Sequence, residues 1–287
     1  MSKKQYEPAR SKEQSVGYKK MVAIFLDVIG YKNIADFSKK HELHRLFHEE
    51  VAIHAQRQNE IPHVIYDRKV FGFSDCAYFF FYYKDGVDDN RKNDINLAYI
   101  AAYNVAQTIL RLMSKGFLAR GGVAFGDVFI DELGFFGPAV ERAHEIESKE
   151  AFFPRLQFDY DIGKQVFDWE HDKTKMDGNI ASMFTETPFV SEIEQNSIFV
   201  NPFFVLQRSG ELIVASDILT IESVKQAVMG RVSEDLEKHS EDPRVVSKLE
   251  WLGKYVSNKK QLLRKDIEPY SFSFMSTARR SHQREDD

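Results

Sequence analysis

A single cysteine, Cys76, stands in a chain of 287 residues, so no intramolecular disulfide can form and zinc sites built from several cysteines are excluded. Positive charge is not in excess either. The 39 Lys and Arg against 44 Asp and Glu give a formal charge of −5, which argues against general binding to nucleic acid. Long apolar runs are missing. The longest, Cys76–Tyr83, falls far short of the ~20 residues a membrane-spanning helix needs. The opening MSKKQYEPARSKEQSVGYKK also lacks the apolar stretch of a secretory signal. The expectation is a soluble, cytoplasmic protein with neither a nucleic acid nor a membrane as partner. What the chain does have is core-forming material: 43% hydrophobic residues, among them 24 phenylalanines, in a length that suits one large domain or one domain with a helical appendage.

Residues 1–19 are charged and poor in apolar anchors, and are expected to form a flexible tail. Met21–Asp27 is a short apolar run that predicts a buried strand. Gly30 breaks it, and apolar residues at helical spacing from Ile34 to Arg57 predict a helix. Two β-branched and aromatic runs, Val64–Phe73 and Cys76–Tyr83, flank Ser74-Asp75 and predict a hairpin, the run YFFFYY being buried on both faces. A second helix is expected over Asp94–Lys115. A strand follows at Phe117–Phe125, with Gly126-Asp127 turning into another at Val128–Ile130. Pro138 opens a helix through Glu147, and Arg155–Phe158 is a further strand. The order begins as βαββαβ, the ferredoxin-like arrangement of an α+β fold. Between 160 and 215 only Phe199–Leu206 has strand character. Helices are expected at 219–238 and 243–264. The domain division expected is a tail at 1–19, a catalytic domain at 20–215, a helical C-terminal extension at 216–270 and a disordered tail at 271–287.

Asp27 closes the first strand, just before a glycine-containing turn, and Asp75 sits at the tip of the hairpin. In a ferredoxin-like sheet the first strand lies beside a hairpin strand, so the two carboxylates converge at one edge. Two bare carboxylates at close range repel and raise a pKa. A pair of divalent cations removes that conflict and makes a two-metal phosphoryl-transfer site. The turn after Asp27 presents backbone N–H groups suited to phosphate. Either aspartate alone would serve equally well as a turn or helix cap; the joint pattern is what points to chemistry.

These residues also carry a resemblance. FLDVIGY resembles the F-x-D-I/V-x-G-F/Y motif of class III adenylate and guanylate cyclases, and FSD resembles their hairpin Gly-Asp with serine in place of glycine. Arg120 through Gly126 resembles the R-x-G-I/V-x-x-G strand, and Gly137-Pro138-Ala139-Val140 leading to Ala143 and Glu147 resembles G-x-x-V-N-x-A-x-R-x-E. The resemblance implies that Asp27 and Asp75, with the Val28 carbonyl, hold two Mn2+ or Mg2+ ions, and that Arg120 contacts the triphosphate of a nucleotide substrate. It further implies a homodimer with each active site between two chains.

The departures narrow the resemblance. Purine cyclases use an asparagine and an arginine four residues apart to steady ribose and transition state; the matching positions are Glu141 and Glu145, which cannot donate hydrogen bonds. Arg142 and Arg155 are the candidate replacements. The adenine-reading positions fall at Phe71 and Gly134, so that pair is absent. With ARGGVAFGDVFID, GPAVERAHEIES, FPRLQFD and KLEWLGKY, the chain resembles the pyrimidine cyclases of the bacterial Pycsar anti-phage system. That implies conversion of UTP or CTP to a 3′,5′-cyclic monophosphate that activates a separate effector. The alternatives are a purine cyclase with relocated base-reading residues, and an inactive nucleotide-binding module. A diguanylate cyclase would show G-G-D/E-D/E-F where this hairpin reads GFSDC.

Other features have plainer expectations. His41, His44 and His48 share a helix face with Lys and Glu and should be solvated. Cys76 lacks a neighbouring base and should be a small core residue. Arg120-Gly121-Gly122 is not the phosphate loop G-x-x-x-x-G-K-S/T.

Overall fold

The computed structural model describes residues 17–60, 64–172, 188–193 and 197–257. The first strand runs slightly beyond its expected ends as β1 (Lys19–Val28). It is followed by helix α1 (Phe37–Glu60), the hairpin β2 (Tyr66–Phe73) and β3 (Cys76–Tyr83), helix α2 (Asp94–Ser114) and strand β4 (Ala119–Ile130). The strands stand in the order β2-β3-β1-β4 with every neighbour antiparallel, which is the ferredoxin-like βαββαβ arrangement the element order predicts. The sheet then continues from β4 to a parallel strand β6 (Leu156–Phe158), and on through β8 (Ser197–Val200) to β7 (Val190–Ile193). A short β5 (Phe135–Phe136) pairs back on the end of β4.

Period-two alternation gives the sheet two different faces. Val22, Ile24, Leu26 and Val28 of β1 point toward α1 and α2, where Leu43, Phe47 and Val105 close the main core. Met21, Ala23 and Phe25 point the other way, under helix α3 (Pro138–Glu145). The aromatic run of β3 divides as expected: Phe79 and Phe81 enter the first core and Phe80 the second, all three fully buried.

Four expectations change. The turn at Gly126-Asp127 does not form, because β1 is long enough to pair with β4 straight through it, Gly126 opposite Met21 and Asp127 opposite Lys20. The chain instead reverses at Asp131, whose Oδ1 accepts the N–H groups of Leu133 and Gly134. The helix from Pro138 leaves α-geometry at Glu145 and continues as a π-helical turn, Ile146–Glu150. Residues 160–171 form a helix, α4 (Tyr160–His171), capped by Asp159 and burying Ile162 and Val166 four residues apart. The strand expected over Phe199–Leu206 breaks at Asn201-Pro202: Pro202 holds a helical φ of −65°, and helix α5 (Phe203–Ser209) follows.

The chain then forms the hairpin β9 (Glu211–Val214) and β10 (Asp217–Thr220), and the helices α6 (Ile221–Lys238) and α7 (Pro243–Ser257). Thr220 and Ser223 make a reciprocal capping box at the start of α6. Val224, Val228, Leu249 and Leu252 pack into the same core as α1 and α2. Buried Arg111 of α2 reinforces the join, pairing with Glu50 at 3.1 Å, with Asp217 at 2.8 Å and with Glu49. Residues 258–264 of the last expected helix and most of both expected tails lie outside the described residues. No helix among those described is long and apolar enough to cross a membrane.

Candidate functional site

The register of the sheet decides which side chains meet. Asp27 lies directly opposite Cys76 on β3 and Arg120 on β4, and directly opposed residues share a face. That face is the one carrying Phe25, covered only in part by α3. Asp75 reaches the same end from the hairpin tip. Ser74 beside it takes a left-handed φ of 57°, and the Asp75 carbonyl accepts the N–H of Val28 at 2.9 Å, which pins the tip against the end of β1. Asp27 and Asp75 are thus brought together through the residue next to Asp27, whose carbonyl is the third oxygen expected at the site.

A third carboxylate arrives that sequence reasoning did not assign. Glu147, almost fully buried, projects from the π-helical turn and places Oε1 2.5 Å from Arg120 Nε, an ion pair outside hydrogen-bond geometry. Gly122 makes this approach possible, since a Cβ there would stand 2.1 Å from the Ala143 carbonyl oxygen and 2.8 Å from Ile146 Cβ. The Gly121-Gly122 pair was the available signal: a glycine inside a strand marks a close approach by another backbone. We expect Gly122→Ala to lower Tm by several degrees, from about 1–3 kcal/mol of overpacking, and activity to fall with it as Glu147 moves. Thermal unfolding checks this; a wild-type Tm would show that the turn does not press on the strand.

Charge at the site is unbalanced. Burial first, then Glu147 and Asp75, push the Asp27 carboxyl up to about 6, against the opposing pull of Arg120 and Lys32. A divalent cation would relieve this, and the donors are all oxygen, as Mg2+ and Mn2+ prefer. Among the described residues no group of three or more His, Cys, Asp or Glu is arranged to hold a metal ion. Two aspartates and a carbonyl suit ions that keep several waters and take the rest of their shell from substrate phosphates. The donor set fits on those terms.

Beyond Asp27 the same face becomes an aromatic floor. Phe25 lies 4.6 Å from Tyr78 between ring centroids, Tyr78 4.7 Å from Phe135, and Phe135 4.9 Å from Phe71. Gly134 sits in the turn immediately before Phe135, so the two positions expected to flank the base, Phe71 and Gly134, are joined through that ring. Exposed His144 stands over Phe25 at 5.2 Å and was not anticipated.

The remaining candidates lie further off. Arg142 donates from Nε to Asp159 at 2.6 Å and from a terminal nitrogen to Glu150 at 2.5 Å. Asp159 is itself bound to the Val123 carbonyl, three residues along β4 from Arg120. Glu145 pairs with Lys149 at 3.0 Å and Glu141 is exposed. Arg155 is buried beside Gln157. His41, His44 and His48 are exposed on α1, as the charged face of that helix predicts. Burial pushes the Cys76 thiol up to about 11, and its Sγ donates to the Phe73 carbonyl, which suits a packed residue and not a nucleophile.

No protein-family model matches the chain, and no curated protein matches it. Among solved structures it is similar to a bacterial light-regulated adenylyl cyclase, at 12% identity and a TM-score of 0.38, over 76% of this chain and 59% of that one. It is similar to a guanylyl cyclase at 10% identity and a TM-score of 0.36, over 64% of this chain and 92% of that one. A third is a class III adenylyl cyclase-like ATP-binding protein from Pseudomonas aeruginosa, at 11% identity and a TM-score of 0.41, over 80% of this chain and 47% of that one. The chain therefore spans little more than half of the light-regulated cyclase. Likenesses this distant carry no functional argument, which rests on the residues themselves.

Proposed function

We propose that this chain is a pyrimidine nucleotide cyclase that converts UTP, or CTP, to the 3′,5′-cyclic monophosphate and pyrophosphate. The observation that carries the reading is the convergence of Asp27 and Asp75 at one end of the sheet, beside Arg120. Asp27, Asp75 and the Val28 carbonyl would hold two divalent ions, Mn2+ or Mg2+, which when bound lower the pKa of the ribose hydroxyl and neutralise the triphosphate. The 3′-hydroxyl gives its proton to water and its oxygen forms the bond to the α-phosphorus, as the bond from that phosphorus to the bridging oxygen breaks and pyrophosphate departs with the pair of electrons. Arg120, steadied by Glu147, offers its guanidinium to the phosphates, and the floor of Phe25, Tyr78, Phe135 and Phe71 offers a stacking surface to the base. The open face of the sheet is where a second copy would complete the site, which makes a homodimer part of the proposal. The product would act as a second messenger in anti-phage defence, through a separate effector.

A second reading, nucleotide binding without turnover, draws on the state of α3. Glu141 and Glu145 replace the transition-state donors of purine cyclases, and Arg142 is already engaged by Asp159 and Glu150. Incubating the protein with each of the four triphosphates and Mn2+, then identifying products by mass, separates the possibilities. Cyclic UMP or cyclic CMP is expected. Binding with no product from any triphosphate would favour the module, and cyclic AMP or cyclic GMP as the main product would favour a purine cyclase.

A further inference from the structure

Arg155 differs from Arg111, Arg142 and Arg120, which stand on or against the same sheet. Arg111 has Glu49, Glu50 and Asp217 about it, Arg142 has Asp159 and Glu150, and Arg120 has Glu147. Arg155 is 92% buried, by its 8% exposure, and among the described residues no carboxylate pairs with it. One terminal nitrogen donates to Gln157 Oε1 at 2.7 Å, Nε has no partner, and the rings of Phe153 and Phe199 stand 5.6 and 5.5 Å away. Burial draws the guanidinium pKa down to about 10, and among the described residues no negative charge offsets it. A buried cation without an anion is costly to the fold, so its retention points to an anion that comes from outside.

Its position says which anion. Just ahead of β6, Arg155 accepts the Gly121 N–H on its carbonyl at 3.0 Å, and the parallel register of Gly121 with Leu156 sets Arg155 beside Arg120. Gln157, which shares its face, is the partner of Gly122, itself opposite Phe25. Asp27, Arg120 and Arg155 therefore form a row across three neighbouring strands on one face, from carboxylate to paired to unpaired guanidinium. We infer that Arg155 is the receptor for the terminal phosphates of a polyphosphate chain whose first phosphate lies at Asp27. This rests on the proposed nucleotide chemistry and assigns the far end of the same site. Arg120 holds the middle of the chain with its charge already half offset by Glu147, while Arg155 supplies the uncompensated positive charge.

The test is thermal unfolding in chelator, without metal, with inorganic pyrophosphate or tripolyphosphate as probe and sulfate at matched ionic strength as control. Wild type should be stabilised more by either polyphosphate than by sulfate. Arg155→Met should keep or raise the ligand-free Tm, because it removes an unpaired buried charge, yet bind pyrophosphate at least about tenfold more weakly. Arg155→Lys, which keeps the charge but loses the fork, should fold and fall between them. Asp27→Asn should keep the metal-free response while losing turnover, so failure of the anion site and failure of the cyclase reading give different results. Equal stabilisation of wild type by sulfate and pyrophosphate overturns the inference. So does an Arg155→Met protein with a lowered Tm and unchanged pyrophosphate affinity, which would make Arg155 a packing residue beside Phe153 and Phe199.

Discussion

Asp27→Asn should abolish cyclisation and at the same time give a protein more heat-stable than wild type at pH 7. The loss of turnover is expected on the order of a thousandfold or more, the rate equivalent of the several kcal/mol a metal supplies as Lewis acid. Asp75→Asn should be similarly inactive. The gain in stability follows from the position of Asp27. Half-buried at a strand end beside Glu147 and Asp75, its carboxyl is held up at about 6, above its value in the unfolded chain. The sign is then fixed by linkage: the folded state binds the proton more tightly, so wild-type stability falls as pH rises from about 4 through about 6. Asparagine cannot take on that charge. In metal-free buffer the advantage of Asp27→Asn should be full above about pH 6 and shrink toward pH 4. Residues retained at a cost to the fold are the mark of a functional site. Near-normal turnover in either variant, or full wild-type activity in excess chelator, would remove the metal reading. An Asp27→Asn protein less stable than wild type at pH 7 would show that the carboxylate is a structural cap.

The parts of this site that were legible in the sequence are those set by local pattern. The apolar run ending at Asp27 and the aromatic hairpin around Ser74-Asp75 fix β1, β2 and β3, and with them the sheet edge where both aspartates meet. Ser74 takes a left-handed backbone conformation that glycine adopts most readily. What the sequence concealed depends on long-range packing. The Gly126-Asp127 pair carries a local turn signal, and a ten-residue β1 overrides it by pairing across it. Glu147 follows a helical pattern to its end, and only the contact of Gly122 with Ala143 and Ile146 shows that the last turn widens to aim it at Arg120. Arg155 reads as one basic residue in a short strand. That no carboxylate among the described residues pairs with it follows from how Phe153 and Phe199 pack about it, which no window of sequence contains.

Base selectivity is the second large effect expected. By the resemblance of the sequence motifs, the base-reading positions of purine cyclases would fall at Phe71 and Gly134, whose side chains cannot form hydrogen bonds. Phe71 is committed instead to an aromatic cluster, 4.9 Å from Phe135 and 6.0 Å from Phe80 between ring centroids, and Gly134 turns the chain that delivers Phe135 to it. Stacking on such a floor accepts any base by its π-face and by itself selects little. We expect selection to come from volume: Phe71, Tyr78 and Phe135 are half-buried rings in one cluster, and a single pyrimidine ring should be accommodated there with less displacement than a fused purine. A purine would also bring ring nitrogens that the side chains of Phe71 and Gly134 cannot serve, and each buried polar group left without a partner costs about 1–3 kcal/mol. One such loss of ~1.4 kcal/mol corresponds to a factor of ten. UTP or CTP should therefore be turned over at least about tenfold better than ATP or GTP in kcat/KM. Phe71→Ala, which opens the floor without adding a donor, should narrow that ratio chiefly by raising purine turnover, leaving the metal dependence as in wild type. Kinetics with all four triphosphates on both proteins decide it. ATP or GTP as the best wild-type substrate would defeat the pyrimidine reading and leave the metal site standing, whereas an unchanged ratio in Phe71→Ala would move base selection away from the floor and toward the residues of a second copy.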